Sequence, residues 1–203
     1  DERDRADLPS TSRLSPYLAL GVLHPRTLLA DLAGRQDPGA TKFVSELAWR
    51  EVYADVLWHH PASVSSDLVP TLAGMAHDEP GSGYDAWRTG RTGYPRVDAG
   101  MRQLLAEGWL PNRVRMVVAS FLLKDLHLPW RLGARHFREH LIDYDAASNT
   151  HNWQWVAGTG TDAAPYHRVF NPVTQAAAAD RDGGYVRRHV PELAHLPGTA
   201  VLR

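Results

Sequence analysis

The sequence predicts an all-α protein in a single domain, and three observations lead to this prediction. The length of 203 residues suits one domain or a tight pair, since domains commonly contain roughly 100–200 residues, and it allows a core of its own. No stretch shows the sustained alternation of apolar and polar residues that is typical of strands, whereas apolar residues recur at helical spacing. Residues that favour the first and last turns of helices flank these stretches.

Proline and glycine mark most of the predicted helix ends, because proline suits the first turn and glycine the residue after the last turn. The pattern predicts helices over 25–32, from 41 to about 59, from 95 to 108, over 130–141, over 145–156 and over 171–179. A further helix begins at Pro111 and is most apolar between Val114 and Leu126. Between Pro61 and Gly93, five glycines and three prolines predict a long surface connection, of a length that is often functional.

Composition excludes several classes of protein. The chain has no cysteine, which excludes a disulfide scaffold, a thiolate zinc site, a cysteine nucleophile and a cysteine-ligated iron–sulfur cluster. Its net charge of −1 argues against coating nucleic acid by bulk electrostatics but allows a local basic groove. No apolar run approaches the roughly 18 residues of a membrane span, and the N-terminus does not resemble a signal peptide. The sequence therefore predicts a soluble chain in the cytoplasm.

One predicted helix carries polar and aromatic residues on a single face. Glu46, Trp49, Arg50 and Tyr53 follow the spacing i, i+3, i+4 and i+7. This face could stack a nucleic-acid base on Trp49 and hold its polar atoms with Glu46 and Arg50. A solvated face with one amphipathic aromatic residue explains the same pattern, and the spacing alone favours that simpler interpretation.

A second stripe lies in the helix predicted over 145–156. Asp145, Asn149 and Trp153 are spaced i, i+4 and i+8 and share a face, while Trp155 points to the opposite side. Buried polar side chains need hydrogen-bond partners, which a polar cofactor would provide. The stripe therefore predicts an internal ligand beside Asn149 and Trp153.

Near the start of the next apolar helix, Asn112 and Met116 lie one turn apart. Arg113 and Arg115 flank them, and a helix N-terminus with arginines suits a phosphate or a flavin edge. Exposed arginines beside a core methionine explain this pattern equally well.

Three further motifs are weaker. Segment 11–16 combines hydroxyls, amides and a guanidinium that suit a pyrophosphate, although helix caps look similar. His136 and His140 lie one turn apart, but Glu139 does not occupy the zinc-protease position and no third ligand is obvious, so no metal site is predicted. The glycine-rich segment 158–162 follows no strand, so it is neither a dinucleotide-binding turn nor a phosphate-binding loop.

Together, these motifs resemble the DNA photolyase/cryptochrome family in order and spacing, from about residue 3 to residue 197. The resemblance rests on the segments 11–16 (TSRLSP), 46–51 (ELAWRE), 92–95 (TGYP), 101–103 (MRQ), 112–116 (NRVRM), 153–155 (WQW), 158–166 (GTGTDAAPY) and 170–172 (FNP). It implies the family's all-α C-terminal domain, which holds a folded FAD below a cavity for a DNA lesion. It also implies that the N-terminal antenna-pigment domain is absent, so that this chain, expected to be a monomer, is a fragment of a longer protein.

The resemblance assigns the flavin side of the site residue by residue. It implies that the segment formed by Thr11, Ser12, Arg13, Leu14 and Ser15 binds the phosphates and that Phe43 lies beside the cofactor. It also implies that Arg115 and Asp143 form a charged pair next to the isoalloxazine, and that Asp145, with its neighbour Tyr144, contacts the isoalloxazine edge. Asn149 is implied to be the amide that faces flavin N5.

The resemblance also assigns the side that faces DNA. The implied partner is UV-damaged DNA with a flipped-out pyrimidine dimer, and the implied active cofactor is FADH⁻. The DNA-contacting residues are Glu46, Trp49, Arg50, Tyr53, Asn112, Arg113, Met116, Trp155 and Gln175. Glu46, Asn112, Met116 and Asn149 are implied to be catalytic.

Three residues favour one branch of the family, the cyclobutane pyrimidine dimer photolyases. Enzymes for (6–4) photoproducts have histidines at the positions of Asn112 and Met116, and cryptochromes commonly have Asp or Cys at the position of Asn149. The alternative is a cryptochrome-like flavin photoreceptor. A purely structural all-α interaction domain would explain the helices but not the polar stripes.

A tryptophan relay that reduces the flavin is implied as well. Trp153 and Trp130 match its proximal and middle positions, but the usual distal tryptophan aligns with His77. Because histidine is oxidised much less readily than indole, we expect the relay to end on Tyr84 or Trp87 instead.

Overall fold

The computed structural model describes residues 2–72, 74–162 and 169–202, and the regular elements in these ranges are all helical, which confirms the all-α prediction. Its α-helices are α1 Ser15–Ala19, α2 Pro25–Asp31, α3 Pro38–His59, α4 Ser82–Thr89, α5 Pro95–Glu107, α6 Asn112–Ser120, α7 Trp130–His140, α8 Ala146–Ala157, α9 Pro172–Ala179 and α10 Gly184–His189. Short 3-10 helices cover Glu2–Asp4, Pro61–Val64, Pro70–Leu72, Pro191–Leu193 and Gly198–Leu202. Within the described ranges, no helix is both long and apolar enough to cross a membrane.

Capping side chains explain where three of these helices begin. The side-chain oxygens of Asp37, Asp145 and Asn171 accept hydrogen bonds from backbone N–H groups of the first turn at 2.7 to 3.1 Å. These N–H groups have no partner inside the helix, so a cap stabilises the start by roughly 0.5–2 kcal/mol. Because Asp37 caps α3, this helix begins at Pro38, earlier than the predicted start at residue 41.

Helix α8 lies at the centre of the fold, where it packs against α3, α6 and α7. Its residue Trp153 is 3% exposed and meets Phe137 of α7 edge-on, with 5.0 Å between the ring centroids. A Cβ atom at Gly133 of α7 would lie 2.1 Å from Trp153 Cη2. Glycine at this position therefore lets the two helices approach closely.

The stretch 61–93 is not a surface connection throughout, which corrects the sequence prediction. It contains α4, whose Trp87 is fully buried and donates from Nε1 to Val118 O at 2.9 Å. The part before α4 is attached to α8, because Gln154 Nε2 donates to Ser63 O at 2.7 Å. Glycine and proline correctly indicated turns in this stretch, but their frequency led to the short helix α4 not being predicted.

The apolar helix that was predicted to reach Leu126 is regular only as far as Ser120. A π-helical turn, Phe121–Asp125, follows it, so that three consecutive apolar side chains enter the core. Helices α1 and α10 were not predicted, because they contain only five and six residues and show too little periodicity.

Candidate functional site

Residues 108–110, between α5 and α6, hold two distant segments together. Trp109 Nε1 donates to Ser15 Oγ at 3.3 Å, and Ile142 N donates to Gly108 O at 2.9 Å. Gly108 has a φ of 63°, and a Cβ there would lie 2.7 Å from Ile142 Cγ2, so the close approach requires glycine. Segment 11–15 and the loop that precedes α8 are thereby attached to the same short stretch of backbone.

Arg115 and Asp143 form an ion pair beside this stretch. Arg115 Nη2 lies 2.7 Å from Asp143 Oδ2, and Arg115 Nε donates to Leu110 O at 2.9 Å. The Asp143 side chain is 3% exposed, and its Oδ1 is buried without a hydrogen-bond partner. A buried carboxylate oxygen needs a donor, which an N–H or O–H of a ligand could supply.

Asn149, on α8, is a further polar residue that was predicted to face the cofactor. Its Nδ2 donates to Ala134 O of α7 at 3.0 Å, which leaves Oδ1 available as an acceptor. Asp145, from the same predicted stripe, accepts from Ser148 N at 2.7 Å and so acts as the cap of α8. The half-buried Tyr144 precedes it.

Segment 11–15 is exposed at Thr11, Ser12 and Arg13. Arg13 has a φ of 52°, and its guanidinium lies 4.4 Å from the centroid of the Trp109 ring and 3.4 Å from the Glu107 carboxylate. Hydroxyl side chains and an exposed cation together suit an anionic group such as a pyrophosphate. Within the segment, Leu14 N donates to Ser12 Oγ at 3.4 Å.

The residues of the predicted stripe on α3 differ in how far they are buried. Trp49 is 47% exposed, whereas Tyr53 is 8% exposed and stacks on His151 with 5.9 Å between the ring centroids. The rings of Trp49 and Tyr53 lie 5.8 Å apart. Tyr53, predicted to contact DNA, thus lies below Trp49 and supports it, while Trp49 remains accessible to a flat ligand. Phe43, earlier in α3, is half-buried.

Three charged residues that were predicted to contact DNA take part in ion pairs. The pairs are Glu46 with Lys42 at 2.8 Å, Arg113 with Asp4 at 2.8 Å, and Arg50 with Glu51 at 2.6 Å. In each pair at least one side chain is well exposed, so a pair of this kind contributes only about 0–1 kcal/mol. A charged ligand could therefore displace these partners at little cost.

The other residues predicted to contact DNA lie on α6, α8 and α9. Asn112 Nδ2 lies 3.7 Å from Met116 Sδ in the first turn of α6, and Trp155 of α8 and Gln175 of α9 are half-buried. Because α3 and α6 both pack on α8, the structure brings three of the helices that carry predicted lesion contacts together.

The aromatic residues of the predicted relay have different neighbours. Trp153 contacts Trp87 edge-on at 6.3 Å, and Trp87 stacks on Tyr84 at 6.0 Å. Trp130 instead donates from Nε1 to Asp67 Oδ1 at 2.7 Å. Sequence reasoning missed Asp67, because a lone carboxylate in an irregular stretch carries no periodic signal.

The histidine pair of α7 has a third candidate ligand in Glu139, which the sequence interpretation considered only at the zinc-protease position and set aside. Ligand atoms of His136, Glu139 and His140 lie within 4.8 Å of one another. His136 packs against Trp87 at 5.4 Å between ring centroids, and burial, with smaller effects of the neighbouring His140 and Arg88, lowers its pKa to about 4. In this structure His136 is therefore a neutral core residue.

Comparison with known proteins adds to this geometry. Residues 43–203 match the family described as the FAD binding domain of DNA photolyase. The motif 158–166 lies within that match, but its residues 163–166 are outside the described ranges. A deoxyribodipyrimidine photo-lyase of Alkalihalophilus pseudofirmus is 46% identical over 199 residues, which cover 96% of this chain and 41% of the relative.

Solved structures give the same picture. A class III photolyase from Agrobacterium tumefaciens matches with a TM-score of 0.95 and 43% identity, over 100% of this chain and 43% of that one. A Synechocystis cryptochrome matches with a TM-score of 0.91 and 35% identity, over 100% of this chain and 44% of that one. The chain thus spans about two-fifths of the length of these proteins.

Proposed function

Because the chain belongs to the family of FAD-binding domains of DNA photolyases, we propose that it binds FAD and forms the flavin- and lesion-binding part of a light-driven DNA repair enzyme. The proposed reaction is the repair of cyclobutane pyrimidine dimers. The names of the relatives support this reaction. The activity of the whole enzyme is proposed for this chain from similarity over about two-fifths of the relatives' length.

The residues around 108–110 fit FAD at both of its ends. Segment 11–15 offers hydroxyls and a cation for the pyrophosphate, while the free acceptor Asp143 Oδ1 requires a donor such as a ring N–H or a ribose hydroxyl. Both parts are attached to the same stretch of backbone through Trp109 and Gly108, as a folded cofactor would require. This shared attachment is the observation that carries the proposal.

When bound, reduced FAD supplies, on excitation by blue light, an electron that opens the two bonds between the pyrimidines and then returns. Asn149 would accept a hydrogen bond from flavin N5–H through Oδ1, and as a neutral group it does not oppose the charge of the reduced cofactor. Arg115 balances the charge of Asp143, and this ion pair would lie beside the ring system of the bound cofactor.

On the DNA side, Trp49 and Trp155 would clamp the splayed pyrimidines, since stacking on an aromatic ring is worth roughly 1–3 kcal/mol per base. Base flipping is general among enzymes that act on bases within a duplex, photolyases included. Glu46 would hydrogen-bond the dimer as charge develops on it, and Arg113 would hold a flanking phosphate after releasing Asp4. The exposed Asn112 and half-buried Met116 would line the pocket.

We further propose that Trp153 and Trp130 deliver electrons to the flavin between repair cycles. Trp153 is buried beside Asn149 on α8, and Trp130, at the start of α7, is 4% exposed. The contact of Trp87 with Trp153 makes Tyr84 or Trp87, the ends expected from the sequence, the competing end of the relay, whereas the carboxylate beside Trp130 favours Trp130.

Flavin binding and repair test this function separately. We expect the purified protein to show flavin absorption, or to acquire it on titration with FAD. After chemical reduction it should split dimers in an oligonucleotide under blue light and not in the dark. A protein that takes up no FAD would contradict the cofactor proposal, and a flavin-loaded protein that repairs no dimers would contradict the repair proposal.

A cryptochrome-like photoreceptor remains the second candidate, because the fold also matches a cryptochrome closely. The repair assay separates the two functions. A photoreceptor would bind flavin and respond to light without splitting dimers.

A further inference from the structure

We propose that Asp67 accepts the indole proton of Trp130 when Trp130 is oxidised, and that Trp130 is thereby the stable end of the electron relay. This inference rests on the proposed function, because it requires Trp153 to lose an electron to the light-excited flavin.

A short hydrogen bond carries the proposal. Trp130 Nε1 donates to Asp67 Oδ1 at 2.7 Å, and the Asp67 side chain is only 11% exposed. Bonds of this length are typical of charged acceptors. An oxidised indole is a far stronger acid than neutral indole, and its N–H already points at a base.

Arg131 supplies an electrostatic reason for the proton to leave. Its guanidinium carbon lies 5.0 Å from the centroid of the Trp130 ring, and its Nη2 lies 3.7 Å from Asp67 Oδ2. A cation over a neutral indole is attractive, but the same cation repels the positive charge of an oxidised ring. Loss of the proton to Asp67 removes that charge and leaves a neutral radical.

At the other candidate ends of the relay, the N–H or O–H group donates to a backbone carbonyl and not to a carboxylate. Trp87 donates from Nε1 to Val118 O at 2.9 Å, and the Tyr84 hydroxyl donates to Leu132 O at 3.4 Å. A backbone carbonyl accepts a hydrogen bond but does not take up the proton. An electron vacancy on Trp87 or Tyr84 is therefore free to return, whereas one on Trp130 becomes trapped.

A small cavity beside Asp67 offers room for water that would take up the proton. It has a volume of about 60 Å³, and its lining includes Asp67, His77, Lys124, Trp130, Arg131 and Thr159. This volume holds roughly two water molecules. Thr159 Oγ1 is buried without a hydrogen-bond partner in the protein, so it offers such a water a polar contact.

The step conserves electrons and protons. Trp130 gives one electron to oxidised Trp153, and its N–H proton passes to the Asp67 carboxylate. The products are neutral Trp153, a neutral tryptophanyl radical at Trp130 and a carboxylic acid at Asp67. A thiolate in solution then gives one electron to the Trp130 radical and becomes a thiyl radical, and Asp67 returns the proton to Trp130.

Transient absorption on the flavin-loaded protein, with dithiothreitol present, tests the proposal. Asp67→Asn keeps an acceptor oxygen but cannot take the proton. We expect the tryptophan radical cation of this variant to convert to the neutral radical at least tenfold more slowly, with a severalfold lower yield of stable flavin reduction. Asp78→Asn, an exposed carboxylate on the same connection, is the matched control and should behave as the parent. Solvent deuterium should slow the conversion in the parent.

Conversion at the parental rate in Asp67→Asn would overturn the proposal. Asp67→Glu, which restores a base, should recover the neutral radical, and failure to do so in a folded, flavin-loaded protein would also count against it. Trp130→Phe tests electron transfer through Trp130 separately from proton transfer to Asp67. Unchanged transient absorption in that variant would refute the relay through Trp130 itself. Repair by chemically reduced protein should be the same in all these variants, since the relay does not touch the dimer.

Discussion

Two asparagines of α8 make the same kind of bond in different surroundings. Asn149 donates to Ala134 O of the neighbouring helix at 3.0 Å, whereas the exposed Asn152 donates to Ser148 O of its own helix at 2.7 Å. They form a matched pair for separating the effect of position from the effect of residue type.

Asn149→Asp is expected to make the reduced flavin hard to accumulate. A second negative charge beside FADH⁻ in a medium of low dielectric raises the free energy of the reduced state by several kcal/mol unless the new carboxyl is protonated. The midpoint potential of the bound flavin measures this effect, with Asn152→Asp as the control. If the potential were unchanged in N149D, Asn149 would not face the flavin.

Trp49→Ala is expected to weaken binding to dimer-containing DNA by roughly 1–3 kcal/mol, the value of one base stacked on an aromatic ring. Binding to undamaged DNA should change little, and so should stability, because Trp49 is 47% exposed. Trp58→Ala, on the same helix and 82% exposed, serves as the control in the same titrations. Equal losses on both DNA substrates would show that Trp49 contacts only the backbone or supports the fold.

At the scale of secondary-structure elements, α8 separates two environments. Trp153 is buried against α7 and Trp87, whereas Trp155, two residues later, is half-buried at the other side of the helix. The sequence predicted this division, because a step of two residues turns a helix by about 200°.

Substitution of these two tryptophans should therefore separate flavin reduction from lesion binding. Trp153→Phe is expected to abolish photoreduction and to leave repair by chemically reduced protein intact. Trp155→Phe is expected to weaken binding to the dimer and to leave photoreduction intact. Light-driven reduction of the flavin and titration with damaged DNA measure the two effects, and the opposite pattern would exchange the proposed roles.

The contact between α7 and α8 depends on one glycine. Gly133→Ala places a Cβ against the Trp153 ring, and overpacking of this kind is expected to lower the free energy of unfolding by about 1–3 kcal/mol. Gly184→Ala, where the nearest atom outside α10 would be 3.8 Å from the new Cβ, should be neutral or slightly stabilising. Urea unfolding compares them, and equal stability of the two variants would show that α7 and α8 can separate without cost.

At the scale of the whole molecule, buried histidines make stability depend on pH. Burial is the main cause that lowers the pKa values of His136, His151 and His189, and that of His136 falls to about 4. Below pH 6.5 these histidines bind protons in the unfolded chain but stay neutral in the folded protein. The folded state therefore loses stability as the pH falls from 6.5 toward 4.

His136 alone should contribute a loss of up to roughly 3 kcal/mol across this range, since one pKa unit corresponds to about 1.4 kcal/mol. His136→Phe keeps a ring against Trp87 and should reduce the difference between the unfolding free energies at pH 7 and at pH 5. His195→Phe, at an exposed position, should leave that difference as it is in the parent. The same difference in both variants would mean that His136 is not held neutral by the fold.

Local signals predicted most of the helices but only part of the site. Proline, glycine and capping residues define helix ends from within a few residues, so α2, α5, α7, α8 and α9 lie close to their predicted bounds. Helix α4 was not predicted, because a tertiary contact, the packing of Trp87 in the core, stabilises it. For the same reason Tyr53 was placed on an open face, although His151 covers it.

The sequence by itself determined the fold class, the family, the stripe of Asn149 and Trp153, and the pairing of Arg115 with Asp143 that the resemblance implied, because these follow from spacing and motif. Only the tertiary structure decided that Ser15 meets Trp109 and that Asp67 meets Trp130. Such contacts join irregular segments far apart in the chain. Their formation depends on how helices of fixed length pack around α8, which leaves no periodic trace in the residues themselves.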